Sequence, residues 1–115
     1  PRLFTKQFRE NFAAEIDKVI KIAMATPENG IIALLNGMRN RSSRCHLLRK
    51  NDIPVMLITG FYDTLIPENI INKMTGLSNN LKLVELSDSA HMGFIEEPEK
   101  ASNFIKSFIR DLQII

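Results

Sequence analysis

The stretch Ile53-Pro54-Val55-Met56-Leu57-Ile58-Thr59-Gly60-Phe61-Tyr62-Asp63-Thr64-Leu65-Ile66-Pro67 contains an apolar run with no polar alternation. Pro54 opens that run, Val55 to Ile58 fill it, and Gly60 closes it. A continuous run of this kind predicts a strand over 54–59 that is buried on both faces, as in a parallel sheet. Open α/β sheets place their chemistry outside the carboxyl ends of the strands. Asp63 stands there, three residues past the glycine, and Pro67 then offers the first position of a helix.

Downstream, Ile70, Ile71 and Met74 form the expected inner face of a helix from Pro67 to about Thr75, ended by Gly76. Ser78-Asn79-Asn80 is turn chemistry. Leu81 to Leu86 reads as a second strand, and Lys82 and Glu85 within it place it nearer a sheet edge. Residues 87–97 read as a loop containing His91. From Pro98 onward Ala101, Phe104, Ile105, Phe108, Ile109 and Leu112 make an apolar helical stripe. The 54–86 unit is a βαβ crossover, which implies two parallel strands joined with a right-handed connection.

Upstream the pattern is helical. Residues 9–25 predict one amphipathic helix with Phe12, Ile16, Val19, Ile20 and Ala23 on one stripe. Thr26 reads as an N-cap with Pro27 at the first helical position and Glu28 beside it. A second helix then runs to about Met38 on Ile31, Leu34 and Leu35. Ser42 or Ser43 is placed to cap a short third helix holding Leu47 and Leu48. Core packing is the expected role of all these apolar residues. Two strands make a poor sheet, so the chain reads like the end of a larger one.

Asp63 and His91 are 28 residues apart, each in the loop after one of two adjacent parallel strands. Loops leaving the same end of neighbouring strands can meet. A carboxylate there would hold the imidazole in one tautomer, and the imidazole would take a proton from a nucleophile and return it to a leaving group. Taken singly, Asp63 is a turn or capping residue and His91 an ordinary loop histidine; the spacing after two strands is what joins them. Tyr62 and Met92, beside these two, are candidates for lining a pocket.

The residues Ile53-Pro54-Val55, Gly60, Asp63 and Pro67, followed by Ala90-His91 and Glu97-Pro98, resemble the C-terminal part of an α/β-hydrolase fold protein. Alanine stands before the histidine where glycine is commonest in that family. The Thr26-Pro27-Glu28 helix, Met38-Arg39-Asn40-Arg41 and Leu47-Leu48 resemble the segment where the cap rejoins the core. The likeness is strong over 53–112 and weak over 1–25. It implies an α/β class with a partial α/β-hydrolase fold: a βαβα unit with two parallel strands, preceded by cap-derived helices. Residues 1–42 would be the helical end of the cap, and residues 43–115 the C-terminal portion of the core. Asp63 would be the triad acid and His91 the triad base, acting in the parent on a small ester-like substrate.

That family orders its triad as nucleophile, acid, base, with the nucleophile in a G-x-S-x-G elbow ahead of the cap. The nearest match here, Gly76-Leu77-Ser78-Asn79-Asn80, lacks the second glycine and follows a helix instead of a strand. Ser78 is therefore rejected as the nucleophile, and the chain carries neither elbow nor oxyanion donors. A serine nucleophile upstream would make the parent an esterase, lactonase or related acyl hydrolase. An aspartate would make it an epoxide hydrolase or dehalogenase.

Composition sets the outer limits. The chain has 115 residues, 44% of them hydrophobic and 24% charged, within the range of an ordinary globular protein. Net charge is +2 with its basic residues scattered, too weak to imply a nucleic-acid partner. The densest patch, Arg39, Arg41, Arg44, Arg49 and Lys50, reads as a solvated face. No apolar run approaches the roughly 18 residues of a membrane span. A single cysteine excludes an internal disulfide framework. Cys45-His46 lacks the further ligands a metal site requires, so no metal and no cofactor is expected. The expected location is the cytoplasm. Unpaired strand edges and uncovered helical stripes predict self-association, as a homo-oligomer, for the isolated chain. The contrasting reading is a non-catalytic domain that binds itself or a partner and keeps a hydrolase tail as scaffold.

Overall fold

The computed structural model describes residues 2–50 and 52–112; the outer limits of the two expected portions, at residues 1 and 115, lie outside them. Four helices come first: α1 Lys6–Asn11, α2 Ala13–Ala25, α3 Glu28–Asn40 and α4 Cys45–Lys50. They lead into β1 Val55–Gly60, α5 Glu68–Thr75, β2 Leu81–Leu86, α6 Gly93–Glu96 and α7 Pro98–Asp111. The strands β1 and β2 pair in parallel, in register from Val55 opposite Leu81 to Gly60 opposite Leu86. The βαβα unit read from the sequence is thus present, and the two strands form one sheet.

Several local expectations are corrected. The helix expected over 9–25 is two helices, α1 and α2, broken at Phe12 with φ −128° and ψ 45°. Phe8, Phe12 and Ile16 keep helical spacing across the break, so periodicity carries no mark of it. Thr26 is not an N-cap. Its hydroxyl donates to the Ile22 carbonyl at 2.9 Å and closes α2. A residue before proline is held out of the helical region. Thr26 accordingly sits at φ −75°, ψ 125°, and Pro27 becomes the cap of a helix that starts at Glu28. Pro67 likewise caps α5 from outside it. The turn α6 stands inside what reads as loop.

The largest correction concerns burial. Strand β1 is half-buried along its length, not buried on both faces, because among the described residues only β2 pairs with it. Neither α2 nor α3 buries a single residue. Phe12, Ile20, Leu34, Leu35 and Met38, expected in a core, are exposed, Leu34 at 65%. An amphipathic helix buries its stripe only where another element lies against it, and none of the described elements covers these. The radius of gyration, 16.3 Å, accordingly exceeds the roughly 13 Å of a compact chain this long.

The core is small and sits around β2 and the loop after it. Leu86, Ala90 and Ala101 are buried there. Phe4 and Phe8 are buried as well, and their rings stack with Phe12 in a short ladder. The N-terminal residues therefore dock on the C-terminal half of the chain. Thr5 starts this dock, its hydroxyl accepting the Phe8 amide at 3.2 Å as the N-cap of α1.

Candidate active site

Parallel pairing puts the ends of β1 and β2 on the same side of the sheet, and both loops leave from there. Phe61 continues the pairing one step, its amide donating to the Leu86 carbonyl at 3.0 Å. The Tyr62 amide then donates to Ser89 across the two loops at 2.9 Å. The close approach needs a residue without a side chain at position 60. A Cβ on Gly60 would lie 2.0 Å from the Ala90 carbonyl oxygen and 2.6 Å from that of Ser89.

Asp63 turns inward from this crossing. Its amide donates to Gly60 at 3.0 Å, and its Oδ1 accepts the amides of Leu65 at 2.7 Å and Ile66 at 3.2 Å. That leaves Oδ2 for His91, whose Nδ1 stands 2.8 Å away. The Asp63 side chain is 8% exposed, that of His91 36%. Burial pushes the Asp63 carboxyl upward, but the hydrogen bonds from His91, Leu65 and Ile66 outweigh it and hold the group below its ordinary value of 3.8. An ionised carboxylate only accepts, so Nδ1 carries a proton, and in the neutral imidazole the lone pair is then on Nε2. The arrangement can therefore move a proton at Nε2 while the carboxylate steadies the resulting imidazolium.

The histidine loop is held from outside itself. The Asp88 amide and the Ser89 hydroxyl donate to Glu97 Oε2 at 2.9 and 2.6 Å. The Ala90 amide donates to Glu96 Oε2 at 2.8 Å, while Oε1 of the same carboxylate accepts the Thr5 amide at 2.7 Å. The amides of His91 and Met92 both donate to the Leu3 carbonyl at 3.1 Å. Lys100 bridges Glu97 and Asp88. Burial raises the Glu97 carboxyl, but the hydrogen bonds from Lys100, Ser89 and Asp88 bring it below its ordinary 4.5. Ser89 has no exposed surface at all, and its hydroxyl has the carboxylate it requires.

Of the other candidates, Tyr62 is exposed and lines a cavity of about 400 Å³ with Arg2, Phe4, Lys6 and Thr64. A second cavity, about 320 Å³, is lined by Asp63 and His91 themselves with Gly60, Leu86 and Phe94. Met92 is half-buried, placed by its amide bond to Leu3. Ser78 is buried beside the turn before β2, its Oγ accepting the Asn80 amide at 3.1 Å. Cys45 begins α4, and no group of three or more His, Cys, Asp or Glu among the described residues is arranged to hold a metal ion. Sequence reading did not find Glu96, Ser89 or Leu3. Glu97 appeared only as part of a motif. The adjacent acids ahead of Pro98 were the available signal.

No family model and no curated protein matches the chain. Among solved structures, a thermophilic esterase from Thermogutta terrifontis, determined with malate bound, superposes with a TM-score of 0.89. The match covers 96% of this chain at 24% identity. The chain has the fold of the C-terminal part of an α/β hydrolase. It spans 41% of the length of that neighbour. No helix among the described residues is long and apolar enough to cross a membrane.

Proposed function

We propose that this chain carries the acid and the base of an acyl hydrolase, Asp63 and His91, and that a nucleophile outside these 115 residues completes the centre. The observation that carries the reading is the 2.8 Å contact between His91 Nδ1 and Asp63 Oδ2 at the shared end of two parallel strands. The structural likeness to an esterase supports an ester-like substrate over other carbonyl compounds. In the complete centre His91 Nε2 takes the proton of a serine hydroxyl as that oxygen attacks the carbonyl. It then returns the proton to the departing alkoxide. Asp63 keeps Nδ1–H pointed at itself and stays ionised throughout. An aspartate nucleophile would leave the same pair to activate water in a later step.

Three measurements test this. The 115-residue chain should hydrolyse p-nitrophenyl esters no faster than buffer. The reading frame ahead of Pro1 should encode a G-x-S-x-G or an aspartate-bearing elbow. In the longer product Asp63→Asn should lower kcat by about 10³- to 10⁴-fold. Ester turnover by the chain alone that disappears in His91→Ala would refute the division of labour. Upstream sequence with no nucleophile elbow would refute the hydrolase itself.

The exposed apolar residues of α2 and α3 favour a second reading, a non-catalytic domain that associates with another copy of itself. The free edge of β1 and the stripe through Leu34 and Met38 would form the contact. An upstream start codon next to Pro1, together with a concentration-dependent dimer, would favour it over the first.

A further inference from the structure

Every amide from Asp88 to Met92 has an acceptor, and only one of these acceptors, the Leu86 carbonyl for Ser89, belongs to the strand the loop leaves. The other acceptors are Glu97, Glu96 and Leu3. Glu96 is distinctive because its two oxygens serve two distant segments. Oε2 takes the amide of the residue before His91, and Oε1 takes the Thr5 amide, 91 residues away in sequence. Two residues before Thr5, the Leu3 carbonyl receives the amides of His91 and Met92. The carboxylate therefore fixes the histidine loop twice, once directly through Ala90 and once by seating the turn that carries the Leu3 carbonyl.

We propose that Glu96 is a positioning residue for His91, coupling the N-terminal segment at Leu3–Thr5 to the orientation of the imidazole against Asp63. The inference rests on the acid–base reading of that pair. Glu96 touches neither imidazole nor carboxylate. It acts by holding the Ala90–Met92 backbone, from which the His91 side chain projects. Bonds from a carboxylate to backbone amides are stronger than neutral ones and short, so their loss releases the loop more than loss of a neutral side chain would. Neutral glutamine would still accept from one segment but present an N–H to the other. Glu96→Gln therefore breaks one arm of the bridge without removing volume.

The test is NMR of the 115-residue chain labelled at histidine. In the unsubstituted 115-residue chain, the parent of these variants, the His91 Nδ1 proton should be seen downfield and exchange slowly with water. In Glu96→Ala and Glu96→Gln its exchange should quicken on the order of tenfold or more, with a cooperative thermal transition retained. Val84→Ala, in the middle of β2, supplies a comparable destabilisation away from the loop and should leave the proton unchanged. If Glu96→Ala does not fold, Glu96→Gln alone decides. A folded Glu96 variant with the parent's Nδ1 resonance and exchange rate overturns the inference. So does a Val84→Ala variant that speeds exchange equally, since the effect is then general loosening. Absence of the slow Nδ1 proton in the parent would instead sink the acid–base pair itself, and the two failures are distinct.

Discussion

Replacing Gly60 by alanine should break the site without touching a titratable group. The new Cβ would stand 2.0 Å from the Ala90 oxygen, 2.6 Å from the Ser89 oxygen and 2.9 Å from the Ala90 carbonyl carbon. All three are backbone atoms, and the peptides they belong to are tied by the Tyr62, Glu96 and Leu3 bonds. No side chain can swing away to make room. From 2.0 Å to the 3.4 Å of ordinary contact, the two loops must part by about 1.4 Å. If only half of that reaches the imidazole, the 2.8 Å bond to Asp63 stretches to about 3.5 Å, where a hydrogen bond has lost most of its strength. Overpacking of this kind costs about 1–3 kcal/mol, and loss of the charged bond and the Tyr62–Ser89 bond adds to it. We expect about 3–5 kcal/mol in all, against a total that for ordinary domains is about 5–15. Urea denaturation of Gly60→Ala beside the parent measures the loss, and the His91 Nδ1 proton reports the geometry. A variant within about 1 kcal/mol of the parent, with that proton unmoved, would show that the loops are not in contact as described.

Three further outcomes are expected. Gly37 lies inside α3 with nothing within 4 Å of a Cβ, so Gly37→Ala should gain about 0.5–1 kcal/mol of helix stability, read as a higher urea midpoint. Asp63 and Glu97 are both held below their ordinary values of 3.8 and 4.5. The stability they contribute is therefore complete above those values and lost as pH falls through the lower folded ones. Asp63→Asn and Glu97→Gln should each cost about 1–3 kcal/mol at neutral pH and flatten the acid limb of a stability–pH curve below about pH 4. A limb as steep as the parent's in both variants would contradict the hydrogen-bond geometry. Finally, light scattering at micromolar concentration should show self-association of the 115-residue chain, reduced by Leu34→Glu with Met38→Glu. A monomer at all concentrations would mean the exposed stripes are tolerated in water.

The site was legible where chemistry and topology coincide. Asp63 lies after a run too apolar for anything but a strand. His91 lies after a second strand, and a parallel pair must release both loops at one end. The supporting shell was not legible in the same way. Glu96 and Thr5 are 91 residues apart, and nothing in the local pattern of either announces a shared bond. Phe12 was read from spacing as a core residue, yet it is exposed, while Phe8 one turn before it is buried. Periodicity shows that a face is apolar, not what lies against it.

Residue pattern alone was enough to determine two parallel strands, their crossover helix, the closing amphipathic helix and the pair Asp63–His91. These follow from local preferences and from the handful of ways a βαβ unit can close. Tertiary structure alone decided that Leu3 and Thr5 brace the histidine loop, that Gly60 is the point where two backbones nearly touch, and that none of the described elements covers α2 and α3. Those outcomes depend on distances between segments remote in sequence, which side-chain periodicity does not encode.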